Sequence, residues 1–224
     1  MSAGRRSTVG NVSTVAWRVI DDVRPLAAAV ARPAVDVDPV VVDAFARDGV
    51  ALVRSAFPEW VEPLRAGLER TLADPARYAF PSEAVADGEP GRFHDSYCNW
   101  QLVPEYLAFV LTSSAASMAA TVMGSPTAQL FHDHAFAKEP GTAKATPWHQ
   151  DLPYYCVDGR RTASIYVALD PVPEDVSVRF WKGSHLGGRL HLPRGFARGE
   201  SYVSDDPELT PVPDVEALAP PDEI

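Results

Sequence analysis

The most constraining feature of the sequence is a change of texture at Gly124. Before it, apolar residues recur at helical spacing; after it they come in short runs with no helix-length segment between them. The runs "AQLFHDHAFAK", "ATPWHQDLPYYC", "RTASIYVALDPV" and "SVRFWKGSH" are rich in aromatic and β-branched residues and are divided by Gly, Pro and Asp. Parallel strands need a long crossover, usually a helix. None is present there, so the second half predicts antiparallel strands, with the earlier helices packed outside them. The expected fold class is mainly β with peripheral helices.

The first half supplies those helices. "DPVVVDAFARDG" predicts a short helix capped by Asp38, opened by Pro39 and stopped by Gly49, with Val41, Val42, Phe45 and Ala46 as its apolar stripe. "VALVR", Val50 to Arg54, reads as a strand. "PEWVEPLRAGLERTLADP" sets Trp60, Leu64, Leu68 and Leu72 on one helix face, with Pro63 tolerable only in the first turn. "EYLAFVLTSSAASMAATVMG" is helical in composition and ends at Gly124.

A chain of 224 residues, 46% hydrophobic, is long enough for one medium domain with its own core. The expected division is a loose tail over 1–20, one domain over 21–200 and an acidic, Pro-rich loop or tail over 201–224. The last of these carries seven acids and five prolines with no Lys or Arg, a composition unable to bury enough apolar surface to order itself alone. A net charge of −10 argues against nucleic acid or an anionic membrane surface as partner. No apolar run is long enough to span a bilayer or to read as a secretory signal. With Cys98 and Cys156 the only cysteines, a disulfide framework is not expected, and a reducing cytoplasm is the expected location.

The chemistry-bearing residues cluster in the second half. In "PWHQDLPYY", His149 and Asp151 are two apart, so an extended backbone projects both to one face. An imidazole and a carboxylate so placed are two of the three ligands of the facial triad that holds non-haem Fe(II). Alone, His-x-Asp is a weak signal, and a strand end with a solvated Asp is the plainer reading. Its neighbours strengthen it. "AQLFHDHAFAK" puts Leu130, His132, His134, Phe136 and Lys138 on one strand face, costly as core and odd as a solvent face. "RTASIYVALD" puts Ser164, Tyr166 and Ala168 on one face, suited to a cavity wall, and Ile165, Val167 and Leu169 on the other.

Taken in order, "FAKEPGTAKATPWHQDLPYY", "ASIYVALDPV" and "FWKGSHLGG" resemble the phytanoyl-CoA dioxygenase family of Fe(II)/2-oxoglutarate oxygenases. "FARDGVALVRSAFPEWVEPLRAGLERTL" is similar to that family's N-terminal helix–strand–helix, and the resemblance runs from about Pro39 to about Tyr202. It implies a double-stranded β-helix, the jelly roll of cupin-like proteins. It implies His149 and Asp151 as catalytic iron ligands and a 2-oxoglutarate pocket lined by Lys138 and Tyr166, to which Ser164 and His134, from the faces described above, are also expected to contribute. The His of the Gly183-Ser184-His185 turn is implied to be structural. Because position 151 keeps its carboxylate, where halide-using relatives have a small residue, hydroxylation is the implied reaction, and the lack of a basic cluster for a CoA phosphate tail favours a small organic metabolite as substrate.

In that family a distal His completes the iron site, and an Arg or Lys anchors 2-oxoglutarate, both after a Gly-Asp turn on later strands. Past Asp151 the only His are His185 and His191, neither in that context, and the last basic residue is Arg198. The roll is therefore expected to be incomplete at its C-terminal strands, with the third ligand and the anchor missing from this chain. Three readings stay open: a truncated version of a longer enzyme, a site completed by another chain, or recruitment of His185 or His191. The alternative function is an inactive homologue acting as a binding or scaffold protein. Besides a small-molecule substrate, the partner expected is a second copy, through exposed strand edges.

Overall fold

The computed structural model describes residues 36–78, 91–142, 145–157, 159–195 and 202–218; the tail expected over 1–20 lies outside them. Helix α1, Pro39–Asp48, forms as its sequence predicts. The Asp38 carboxylate accepts from the Val40 amide at 2.9 Å, Pro39 opens the first turn, and Gly49 ends the helix at φ 78°. A 3-10 turn, Pro58–Trp60, leads into α2, Val61–Ala73, which keeps Pro63 in its first turn. The single turn α3, Pro75–Tyr78, follows. Strand β1, Phe93–Tyr97, precedes α4, Pro104–Thr112, and α5, Ala115–Val122. Strand β2 is His134–Lys138.

The core sits among these elements. Phe57, Trp60, Leu64, Tyr78, Val103, Tyr106, Ala108 and Met118 are buried together. Trp60 is 1% exposed and meets Phe109 edge-on at 5.3 Å. The stripe on α2 that the four-residue spacing predicts is present, although Leu68 and Leu72 are only half-buried and Gly67 and Thr71 take the buried places between them. At Gly67 the backbone of α2 comes against α4; a Cβ there would lie 2.6 Å from Cε1 of Tyr106. Arg70 and Glu105 tie the same two helices, Nη2 to Oε1 at 2.7 Å, with the carboxylate largely buried.

Strands β1 and β2 pair antiparallel, Phe93 opposite Lys138 and Tyr97 opposite His134. Among the described residues this is the one regular ladder, and the amide of Cys98 extends it by donating to the Asp133 carbonyl at 3.0 Å. Val50 to Arg54, expected as a strand, forms no ladder, although Val53 still packs against the core. The later runs over 145–150, 161–168 and 178–181 likewise lie outside helices and ladders. They carry exposed apolar side chains, among them Ile165, Tyr166, Val178 and Phe180. Three short 3-10 turns, Leu152–Tyr154, Glu174–Val176 and Ser184–Gly187, punctuate this half. The acidic 202–218 segment is docked on it. Thr210 bridges His191, the 3-10 turn Val215–Ala217 follows, and Val215 is buried. Among the described residues no helix is long and apolar enough to cross a membrane.

One face of β1 turns towards the helices. His94 is 4% exposed, with Nε2 at 3.2 Å from Thr71 Oγ1. The Thr71 hydroxyl already donates to the Leu68 carbonyl at 2.8 Å, so His94 is the donor in that pair. Burial, helped by the charge of Arg92 and opposed by Asp95, holds the His94 pKa below its ordinary value.

Two predictions follow from this packing. Gly67→Ala lowers stability by about 1–3 kcal/mol through overpacking, outweighing the roughly 1 kcal/mol of helix propensity that Ala adds; the denaturant midpoint measures it. For His94, the folded chain resists a proton that the unfolded chain accepts, so its contribution is present above about pH 6.5 and lost as pH falls through the lowered folded value. The fall in Tm between about pH 7 and pH 5 is therefore smaller in His94→Gln than in the wild-type chain.

Candidate metal centre

The segment from Pro147 to Tyr155 is held on both sides, and this determines where its functional groups point. On one side Trp148 donates from Nε1 to Glu216 Oε1 at 2.9 Å, and the Arg179 guanidinium lies over the Trp148 ring, 5.2 Å from its centroid. Arg179 also pairs with Glu216 at 2.8 Å. Next but one, the Gln150 amide donates to the Arg189 carbonyl at 3.1 Å and accepts from the His191 amide at 3.0 Å. The alternate residues, His149 and Asp151, converge instead on each other.

His149 Nε2 lies 3.2 Å from Asp151 Oδ1. The other ring nitrogen, Nδ1, donates to the Pro147 carbonyl at 2.8 Å. Such a bond fixes the ring plane and reserves Nε2 for whatever occupies the pair's corner. Asp151 is held from its other oxygen, as Ser164 donates from Oγ to Oδ2 at 2.8 Å. Burial disfavours a charged His149, but the hydrogen bonds to Asp151 and Pro147 and the Asp151 charge outweigh it, and the His149 pKa is raised. The hydrogen bond from His149 is the main influence that lowers the Asp151 pKa, against burial and with help from Ser164.

The remaining expected site residues are reached from this pair through the strand face they share. Tyr166, two residues from Ser164, stacks on Phe136 of β2, centroids 5.9 Å apart. His134 lies against Phe136 on the same face of β2, at 5.4 Å. Its Nε2 is hydrogen-bonded to Asp95 Oδ1. Lys138 stands at the far end, with its ammonium 2.9 Å from Thr146 Oγ1 and over the Phe93 ring, and partial burial lowers its pKa. His132 is not hydrogen-bonded to Asp151, but its charge is felt there, and its ring packs with Phe131 and Tyr155 at 5.2 and 5.1 Å. Burial, then the Asp151 charge, pushes the Tyr155 phenol up to about 12.

His185 and His191 stand elsewhere. His185 Nε2 lies 3.1 Å from the Ala46 carbonyl at the end of α1, and its ring is so close to Gly49 that a Cβ there would meet Nδ1 at 2.5 Å. His191 pairs through Nδ1 with Thr210 Oγ1 at 3.0 Å. Among the described residues no group of three His, Cys, Asp or Glu side chains converges to hold a metal. Tyr154 is also a structural residue: its hydroxyl donates to the Arg194 carbonyl at 2.7 Å and accepts from the Arg194 amide at 2.8 Å.

Asp95, Tyr97, Gln150 and Glu216 were not singled out in the sequence. "FHDSY" sets three polar residues between Phe93 and Tyr97, with no bulky–polar alternation, so it gives little strand signal for β1. Glu216 sits in an acidic segment whose composition gives no sign of a specific contact.

An imidazole and a carboxylate held side by side, each oriented by a second hydrogen bond, define a candidate divalent-metal centre of the nitrogen–oxygen type. A model of the family "Phytanoyl-CoA dioxygenase (PhyH)" matches residues 45–215, and the chain belongs to that family. No curated protein and no solved structure matches it.

Tyr154→Phe leaves the Arg194 amide and carbonyl without their shared partner. The expected loss of stability is about 1–2 kcal/mol, and the Arg194 amide loses protection in hydrogen exchange.

Proposed function

We propose that the chain is an Fe(II)/2-oxoglutarate-dependent dioxygenase that hydroxylates a small organic molecule, built on a double-stranded β-helix, with His149 and Asp151 as protein ligands of the metal. The observation that carries this reading is the 3.2 Å approach of His149 Nε2 to Asp151 Oδ1 in a chain of this family. Two ligand atoms, each about 2.1 Å from a metal and at a right angle in an octahedral site, stand about 3.0 Å apart. The pair therefore fits one edge of such a site.

When bound, iron and 2-oxoglutarate supply the oxygen activation and the removal of substrate hydrogen. The chain's own residues supply placement. His149 keeps its ring turned by the Pro147 carbonyl, so Nε2 would be presented to a metal without any turn of the ring. Asp151 keeps Oδ1 towards His149 because Ser164 holds Oδ2. Ser164 thus orients a ligand, which makes it a supporting residue of the cofactor pocket. Tyr166, Phe136 and His134 form the apolar wall beside it, with Lys138 as the cation at its edge. That wall is built of rings and the net charge is −10, which supports a small metabolite rather than a substrate with a polyphosphate tail.

A second reading is a binding protein that holds a divalent ion weakly through the pair alone. It is favoured by the lack, among the described residues, of a third converging side chain. Anaerobic addition of Fe(II) and 2-oxoglutarate separates the two. The oxygenase reading expects a weak visible charge-transfer band, and succinate once air is admitted. The band is lost in His149→Ala and in Asp151→Ala and kept in His185→Ala. Iron binding with neither band nor succinate selects the second reading.

A further inference from the structure

The register of β1 against β2 puts Phe93, Asp95 and Tyr97 on the same face as Lys138, Phe136 and His134. This is the face that Tyr166 covers through Phe136, and Tyr166 is two residues from Ser164, the partner of Asp151. Asp95 lies in the floor of that face, and its side chain is 0% exposed. A carboxylate without water is tolerated only when its oxygens are hydrogen-bonded. Both are: Oδ1 takes the hydrogen bond from His134 Nε2, and Oδ2 accepts from the Tyr97 hydroxyl at 3.1 Å.

We infer that Asp95, assisted by Tyr97, is a positioning residue that acts through His134, fixing its ring plane and its tautomer for the ligand of the candidate site. An ionised carboxylate can only accept, so His134 Nε2 carries the hydrogen and Nδ1 is the nitrogen left for a ligand. The plane is fixed by stacking: the Tyr97 ring lies 4.0 Å from the His134 ring at 25°, and Phe136 borders it at 5.4 Å. The His134 side chain is 30% exposed, so the ring so held still reaches solvent. A purely packing role would be served by an apolar residue at position 95, without the desolvation of a carboxylate.

The arrangement of Asp95 and His134 stands on its own geometry; that the ligand is 2-oxoglutarate rests on the oxygenase reading. The test uses the full chain with ¹⁵N-labelled histidine, and the His134 signals are identified by their loss in His134→Gln. The wild-type ring is expected to show hydrogen on Nε2 and a bare Nδ1. Asp95→Asn can donate as well as accept, so the ring is expected to become a mixture of tautomers while the far-UV circular dichroism stays unchanged. With Fe(II) present and air excluded, the Kd for 2-oxoglutarate rises roughly tenfold in Asp95→Asn and in His134→Gln, and no further in the double variant. An unchanged His134 tautomer in folded Asp95→Asn overturns the inference. If Asp95→Asn does not fold, His134→Gln decides, and unchanged 2-oxoglutarate affinity there overturns it. His149→Ala removes the iron band but leaves the His134 ring signals as in wild type. Absence of the band in the wild-type chain, with Nε2 of His134 protonated as expected, therefore sinks the oxygenase reading and spares the Asp95 assignment.

Discussion

The antiparallel pairing of β1 with β2 is the contact on which both the core and the candidate site depend. A strand has two faces, and this pair uses them for different purposes. From one, His94 reaches Thr71 of α2 under the helical core. From the other, Asp95 and Tyr97 hold His134, and Phe136 receives Tyr166. A slip of one residue in register would exchange the two sets, placing Asp95 against the helices and His94 under the site. The ladder hydrogen bonds therefore position the polar groups of the site as much as they hold the sheet.

The helical half was legible in the sequence because its signals are local. Asp38, Pro39 and Gly49 delimit α1 by capping chemistry, and the spacing from Trp60 onward marks α2. What the spacing did not show is that Gly67, the smallest residue on that helix, sits where α2 meets Tyr106. Helix contact of this kind depends on two segments at once. The strand half was harder for the same reason. Val50 to Arg54 has the composition of a strand, but a ladder needs a partner, and composition does not name one. β1 carries no apolar–polar alternation to mark it as a strand. Its role is read from its partner β2, not from its own residues.

The candidate site divides along the same line. His149 and Asp151 are next but one in sequence, so their convergence is a local property and could be read directly. Ser164, thirteen residues from Asp151, was placed on a cavity wall, and the structure gives it the more specific task of holding Oδ2. Glu216, sixty-eight residues from Trp148, had no sequence signal at all. It anchors a segment whose composition suggested a loop or tail unable to order itself, and it does so through one carboxylate shared by an indole N–H and a guanidinium. An acidic segment that cannot order itself can still be ordered by cations and donors on the surface it meets.

The same contacts distinguish the pair at 149 and 151 from the other carboxylates. The chain is strongly acidic, yet the carboxylates around the site are individually engaged: Asp95 by His134 and Tyr97, Glu216 by Trp148 and Arg179, Asp151 by Ser164 and His149. Of these, Asp151 alone shares an oxygen with an imidazole whose second nitrogen is tied to a backbone carbonyl. That tie makes the difference in chemistry. At Asp95 the imidazole and the carboxylate satisfy each other under the protein surface, and a metal entering there would have to displace a hydrogen bond from a carboxylate with 0% exposure. At Asp151 the carboxylate side chain is 48% exposed, while Pro147 and Ser164 hold His149 and Asp151 in place. The same two residue types thus differ by burial: the Asp95 carboxylate is closed to solvent, and the Asp151 carboxylate is about half exposed.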